Sequence, residues 1–104
     1  MKQRVASHWE GAVLVCAKCS RRVGGGFGPK GKTRLAKLLR KQPGFGKGRK
    51  ARIGVVESRC LGVCPRDAVT LVDTRRPADW LLVRPGTAVE AVIARLDEGG
   101  AQPA

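Results

Sequence analysis

The central stretch of this chain reads IGVVESRCLGVCP from residue 53 to residue 65. The run through Glu57 is apolar and β-branched, which predicts a buried strand, and the remaining residues form a cysteine loop. A second run of this kind, residues 12–15, leads directly into Cys16 and Cys19. Each of the two cysteine pairs therefore stands just beyond the end of a predicted strand.

Hydrophobic patterning outside this stretch predicts two helices and two further strands. A helix beginning at Thr33 carries leucines at helical spacing and ends before Pro43. Strands are predicted at residues 69–72 and 80–83. The last helix follows Pro85, and its apolar stripe at i, i+3, i+4 and i+7 consists of Val89, Val92, Ile93 and Leu96. We therefore expect an α/β domain with a small mixed four-stranded sheet, two covering helices and the order β-α-β-β-β-α.

The chain is expected to form one domain, since 104 residues can enclose a single modest core. We place that domain at residues 11–98, with a flexible lead-in at residues 1–10 and a disordered tail at residues 99–104. A basic, glycine-rich connector at residues 43–50 is expected to be flexible. The glycine-rich residues 24–29 are expected to form a loop without regular structure.

The chain is strongly basic, with a net charge of +13, and every charged residue between Lys18 and Arg52 is Lys or Arg. Such a surface favours nucleic acid, anionic lipid or an acidic protein as partner, although a solvated basic loop has the same composition. No stretch approaches the ~20 apolar residues of a membrane helix, and the start lacks the apolar core of a secretory signal. We therefore expect a cytoplasmic protein with no membrane segment, whose cysteines bind metal rather than form disulfides.

The four cysteines, Cys16, Cys19, Cys60 and Cys64, are expected to form one metal centre. A helix separates the strands before the two pairs, as in a parallel βαβ unit, and parallel neighbours place their carboxyl ends on one edge of the sheet. Four thiolates at one point suit a 2Fe–2S cluster or a tetrahedral zinc ion. Gly62 favours the cluster, because it lets the backbone wrap around a ligand and direct N–H groups at cluster sulfurs.

The chain resembles the thioredoxin-like 2Fe–2S ferredoxins. The resemblance lies in residues 13–16, VLVC, and above all in residues 58–65, SRCLGVCP, and it continues through the two later strands to the closing helix. It implies a thioredoxin-like fold, a one-electron carrier and a homodimer. It also implies that the cluster ligands are Cys16, Cys19, Cys60 and Cys64.

Two features differ from the pattern of that family. Its first two cysteines are usually separated by a longer loop, whereas here only Ala17 and Lys18 lie between them. Ferredoxins are also commonly acidic, and this chain is basic. We therefore expect an acidic redox-partner protein, attracted by Arg59, Arg66 and the basic stretch of residues 18–52.

Two other functions remain open on the sequence. A zinc-stabilised basic module would bind nucleic acid through its phosphates. Alternatively, the C-x-x-C motif at residues 16–19 would make a thiol–disulfide oxidoreductase, in which such a motif opens a helix. The glycines of residues 24–29 argue against a helix there, and this function leaves Cys60 and Cys64 without a role.

Residues 26–33, GFGPKGKT, match the phosphate-binding pattern G-x-x-x-x-G-K-[ST], in which Lys32 and Thr33 contact phosphate and Mg²⁺. A phosphate loop should follow its strand at once, whereas here two cysteines and several basic residues intervene. Pro29 also removes one N–H donor. We therefore expect a glycine-rich loop that leads into a helix rather than a nucleotide site, with weak anion binding at most.

No catalytic set is evident in the chain. His8 is the only histidine and is not assigned as a ligand. The aspartates Asp67, Asp73 and Asp79 show no pairing that would serve acid–base chemistry. We therefore expect an electron carrier rather than an enzyme.

Overall fold

The apolar, β-branched runs of the sequence form a mixed five-stranded sheet. The computed structural model describes residues 4–63 and 65–101, with side chains in the last helix only as far as Asp97. In chain order the elements are β1 (Gly11–Cys16), α1 (Ala17–Arg22), β2 (Gly26–Phe27), β3 (Thr33–Arg34), α2 (Leu35–Arg40), β4 (Phe45–Gly46), β5 (Ile53–Ser58), β6 (Val69–Asp73), β7 (Leu81–Val83) and α3 (Val89–Ala101).

The strands of the sheet lie in the order β4-β5-β1-β6-β7. β5 is parallel to both β1 and β4, whereas β6 is antiparallel to β1 and β7 is antiparallel to β6. The two shortest strands of this sheet, β4 and β7, form its edges, and every residue of the interior strand β6 is buried. β2 and β3 form a separate antiparallel pair.

The apolar stripes predicted for α2 and α3 are the faces that enter the core. Leu35 and Leu39 of α2 are fully buried, as is Val92 of α3. α2 packs against β5 and also contacts α3. Burial of each large side chain of this kind contributes about 1.5–3 kcal/mol before conformational entropy is subtracted. These contacts join the sheet and helices into one core.

The structure confirms an α/β domain with a mixed sheet, but the described residues hold five sheet strands and three helices rather than four and two. The fifth strand, β4, is a two-residue segment that pairs beside Ile53. The third helix, α1, was not predicted. Residues 24–29 are also not a plain loop, because the fully buried Phe27 anchors the β2–β3 pair.

The terminal segments differ from the expectation in part. α3 continues to Ala101 and so includes residues 99–101, which we expected in a disordered tail. Residues 1–3 and 102–104 lie outside the described part of the chain. No helix in residues 4–63 and 65–101 combines the length and apolar character needed to cross a bilayer.

The lead-in lies along the basic connector. The N–H of His8 donates to the carbonyl of Arg49 at 2.7 Å. The indole N–H of Trp9 donates to the carbonyl of Gly48 at 2.8 Å. The Trp9 ring covers Gly54 of β5 so closely that a Cβ there would lie 2.4 Å from two ring carbons. The lead-in is therefore docked on the sheet by a ring that requires glycine beneath it.

A buried carboxylate marks the end of the sheet opposite to the cysteines. Asp73 is 4% exposed and accepts hydrogen bonds from the Arg75 guanidinium at 2.8–3.2 Å. Arg76 lies 3.5 Å from the same carboxylate. Burial raises the pKa of Asp73, but the hydrogen bonds from Arg75 and the charges of both arginines outweigh it and hold the pKa below its ordinary value.

Candidate metal centre

Both cysteine segments leave the same edge of the sheet. β1 and β5 pair in parallel, with a register that runs from Gly11 opposite Ile53 to Cys16 opposite Ser58. The carboxyl ends of the two strands therefore lie side by side. The parallel pairing that the sequence predicts for these strands is present.

The first cysteine pair lies in the core. Cys16 is the last residue of β1 and the N-cap of α1, and its Sγ accepts a hydrogen bond from the Cys19 N–H at 3.5 Å. The Ser20 hydroxyl donates to the Cys16 carbonyl at 3.0 Å. Cys16 is fully buried and Cys19 is 1% exposed. Strand, helix and core packing therefore fix the position of both sulfurs.

The expectation that no helix forms after Cys16 is wrong. α1 occupies residues 17–22, and the glycines follow it instead of interrupting it. Gly25 donates its N–H to the Ser20 carbonyl at 2.9 Å and has a φ of +83°, which a residue with a Cβ rarely adopts. The glycine stretch thus terminates the helix. The C-x-x-C motif opens a short helix, as the thiol-redox function requires.

Cys19 also reaches the second cysteine segment. Its Sγ lies 3.9 Å from the carbonyl oxygen of Val63 and 4.0 Å from the hydroxyl of Thr70. The Thr70 hydroxyl donates to the same Val63 carbonyl at 3.0 Å. Val63 immediately precedes Cys64, which lies outside the described residues. The helix that carries Cys19 therefore abuts the backbone that leads into Cys64.

Cys60 lies on the surface of this edge. Its Sγ accepts a hydrogen bond from the Gly62 N–H at 3.4 Å, in a turn where Gly62 has a φ of +88°. Cys60 also lines a cavity of 330 Å³ together with Ala17 and Lys18, the two residues between Cys16 and Cys19. The first and second cysteine segments thus share one cavity.

The electrostatics of this cavity favour anions. Among the described residues, three cationic side chains, Lys18, Arg21 and Arg59, line it together with one carboxylate, Glu57. Positive charge of this kind attracts anionic groups, and the form of cysteine that binds metals is the anionic thiolate.

The donor set is chemically suited to iron or zinc, because thiolates are the preferred ligands of both 2Fe–2S clusters and structural zinc. The geometry is incomplete. Cys16 and Cys19 are brought together, and Cys60 lines a cavity with Ala17 and Lys18, the residues between them. However, no three His, Cys, Asp or Glu side chains among the described residues are close enough to hold a metal ion. Cys64, the fourth predicted ligand, is outside those residues.

The phosphate-loop match at residues 26–33 has a different architecture from the motif it imitates. β2 and β3 pair across it as a hairpin, and the N–H groups of Gly26 and Gly31 donate at 3.1 Å to carbonyls within the turn. A phosphate loop instead joins a strand directly to a helix and turns its N–H groups towards the ligand. This segment therefore lacks the backbone cradle of that motif.

One site was not anticipated from the sequence. A second cavity, of 350 Å³, is lined by basic side chains of β3 and α2 and by Glu57 of β5. The spacing of Arg34, Lys37 and Arg40 by three residues was a sequence signal for one basic helical face. The approach of Glu57 to that face depends on tertiary structure and has no local signal.

The chain has no match among protein-family models, curated proteins or solved structures. Its function is therefore proposed from its own residues and their placement.

Proposed function

We propose that this chain is a thioredoxin-like iron–sulfur protein that carries single electrons or senses redox state in the cytoplasm. Its 2Fe–2S cluster would be held by Cys16, Cys19, Cys60 and Cys64. The observation that carries the proposal is the parallel pairing of β1 and β5, which brings both cysteine segments to one edge of the sheet. The strand order β5-β1-β6-β7, with α2 between the first two strands and α3 last, supports the thioredoxin-like part.

The cluster, when bound, supplies a site for one electron, and the chain supplies the environment. Burial of Cys16 and Cys19 excludes water from one side of the site. The N–H of Gly62 already points at the sulfur of Cys60, and such bonds stabilise the more negative, reduced state. The basic groups around the cavity act in the same direction and attract an acidic redox partner.

The proposal includes a movement of the second cysteine segment. Because Cys60 is exposed whereas Cys16 and Cys19 are buried, the proposal is that binding draws Cys60 towards the first pair. Residues 59–63 have no helix or strand, whereas Cys16 and Cys19 are fixed by β1 and α1. The loop is therefore the part that moves, and it should gain protection from hydrogen exchange when the metal binds.

Anaerobic purification followed by metal and sulfide analysis tests the proposal. We expect brown protein with about two irons and two sulfides per chain and a visible absorption that dithionite bleaches. Cys60→Ser should lose the colour, whereas Ser58→Ala, a control in the same segment, should keep it. A colourless protein with one zinc per chain would contradict the proposal and favour the zinc-stabilised nucleic-acid module.

A thiol–disulfide oxidoreductase is the second candidate, favoured by α1. The Cys19 N–H donates to the Cys16 sulfur at the start of this helix, which is the position that the motif occupies in thiol–disulfide oxidoreductases. The burial of both sulfurs opposes it, since disulfide exchange needs an accessible thiolate. An oxidoreductase would reduce insulin disulfides with Cys60→Ser/Cys64→Ser in place and lose this activity with Cys16→Ser. We expect no reduction by any of these proteins.

A further inference from the structure

A cationic cavity lies between the start of α2 and β5. Its volume is 350 Å³, and four of its lining side chains are basic. Among the described residues, one carboxylate faces them, that of Glu57. The lining residues are Lys32, Thr33, Arg34, Ala36, Lys37, Arg40 and Glu57. The cavity therefore retains positive charge after its internal ion pair is counted.

Two of the basic groups are held in place by the fold. Arg34 donates from one terminal nitrogen to both oxygens of Glu57, at 3.1 and 3.2 Å. Arg40 donates from Nε to the carbonyl of Val55 at 3.1 Å. Each guanidinium is thus oriented by β5 without using all of its N–H groups. A preoriented guanidinium loses less side-chain entropy when it binds an anion.

The remaining donors have no partner within the described part of the chain. The terminal nitrogens of Arg40, and the second terminal nitrogen of Arg34, donate to no protein acceptor there. Lys32 and Lys37 make no ion pair or hydrogen bond with the described residues. Free N–H forks beside two ammonium groups suit an anion with several oxygens and more than one negative charge.

We infer that this cavity binds a phosphate group. The ligand oxygens would be held by side chains of α2 and of the residues just before it, not by a backbone phosphate loop. The volume accommodates a phosphate or diphosphate, and none of the described lining residues carries an aromatic ring on which a base could stack. The inference does not depend on the metal centre, because none of the three described cysteines, Cys16, Cys19 and Cys60, lines this cavity.

Titration of the full chain with pyrophosphate at low ionic strength, followed by calorimetry, tests this site. Lys37→Gln/Arg40→Gln should weaken binding by at least about tenfold, because it removes two charged donors. Lys47→Gln/Lys50→Gln, which removes the same charge from the connector, should change it by less than about twofold. Equal weakening by both double variants would overturn the inference. It would also be overturned if the unchanged protein bound neither pyrophosphate nor RNA.

The Arg40 change also breaks its hydrogen bond to Val55, so a second variant guards against a folding defect. Lys37→Gln alone disturbs no contact of the described residues and should still weaken pyrophosphate binding by about threefold. Its melting temperature should match that of the unchanged protein. An unaltered affinity in this variant would count against the site. The cysteine-dependent absorption should be the same in all these proteins, which separates this test from that of the metal centre.

The bound phosphate group belongs either to a small phosphate compound or to the backbone of a nucleic acid, and the same titration distinguishes the two. If the cavity takes a free phosphate compound, pyrophosphate binds and a short RNA does not compete for it. If it takes a phosphate of a nucleic-acid backbone, RNA binds with a steep salt dependence and displaces pyrophosphate. In both cases Lys37→Gln/Arg40→Gln has to weaken the binding more than the connector control does. RNA binding that is equally weakened by both double variants would leave only a non-specific charge effect and reject the site.

Discussion

Cys16 and Cys19 are enclosed between the end of β1 and α1, whereas Cys60 is exposed on a loop, where its sulfur accepts a hydrogen bond from the N–H of Gly62. Both segments belong to the same edge of the sheet, because β1 and β5 end side by side. One half of the proposed metal site is thus part of the folding core, and the other half is an external loop. Changes in the first half should reduce the stability of the metal-free protein, and changes in the second should affect metal binding alone.

The largest effect is expected where the support of the first pair is broken. Gly25→Ala would place a Cβ 2.2 Å from the carbonyl oxygen of Lys32, at a φ of +83°. We expect this change to lower the free energy of unfolding by about 3 kcal/mol, measured by urea denaturation of the metal-free protein. Gly24→Ala has a similar φ of +64° but open space around the new carbon, and should lose only about 1 kcal/mol. Equal losses would show that close packing behind α1 is unimportant.

The cysteines themselves provide the direct comparison. Cys19→Ser replaces a buried thiol by a more polar hydroxyl and should lower the stability of the metal-free protein by about 2 kcal/mol. Cys60→Ser changes an exposed side chain and should stay within about 0.5 kcal/mol. Urea denaturation with chelator and reductant present measures both. If Cys60→Ser proved the more destabilising, the two halves would not differ as described.

The contact between the halves is expected to have an intermediate effect. Thr70→Val removes the hydroxyl that donates to the Val63 carbonyl and should cost about 1.5 kcal/mol. Hydrogen exchange at residues 61–63 should become faster, whereas exchange in α1 should not. Thr70→Ser retains the hydroxyl and is the matched control. Faster exchange in α1 as well would mean that the two segments unfold as one unit.

The smallest effect is expected at the end of the sheet remote from the cysteines. Because Arg75 and Arg76 hold the pKa of Asp73 below its ordinary value, Asp73 adds stability that is present above pH 3.8 and is lost as the pH falls through the lowered, folded-state pKa. Asp73→Asn should therefore reduce the stability that is lost between pH 7 and pH 2, by less than about 1 kcal/mol. Thermal melts over this pH range measure the loss, and an equal loss in the variant and the unchanged protein would contradict the prediction. Hydrogen exchange at residues 59–63 should be unaffected.

The four longer strands of the sheet and the helices α2 and α3 were predictable because their signals are local. The β-branched runs before Cys16 and Cys60 became β1 and β5, and the stripe that includes Val92 and Leu96 became the buried face of α3. The parallel pairing followed from the helix between the two strands. These features depend on periodicity and connection, which a sequence displays directly.

The missed features depend on tertiary contacts. α1 has no apolar stripe long enough to detect, and it is stabilised by the Cys16 cap and by the Gly25 N–H that closes its last turn. β4 is two residues long and exists only as a partner of β5. The unequal burial of Cys16 and Cys60 depends on the path of the loop after β5, for which the spacing of cysteines contains no information.

The packing of Trp9 on Gly54 has a consequence for the evolution of this chain. A side chain at position 54 would collide with the indole, so the ring and the bare backbone beneath it have to be inherited together. A lineage that loses the tryptophan frees position 54 for the β-branched residues that strands favour. Correlated substitution at these two sites, 45 positions apart, is therefore a signature by which distant homologues can be recognised even where the cysteine spacing has changed.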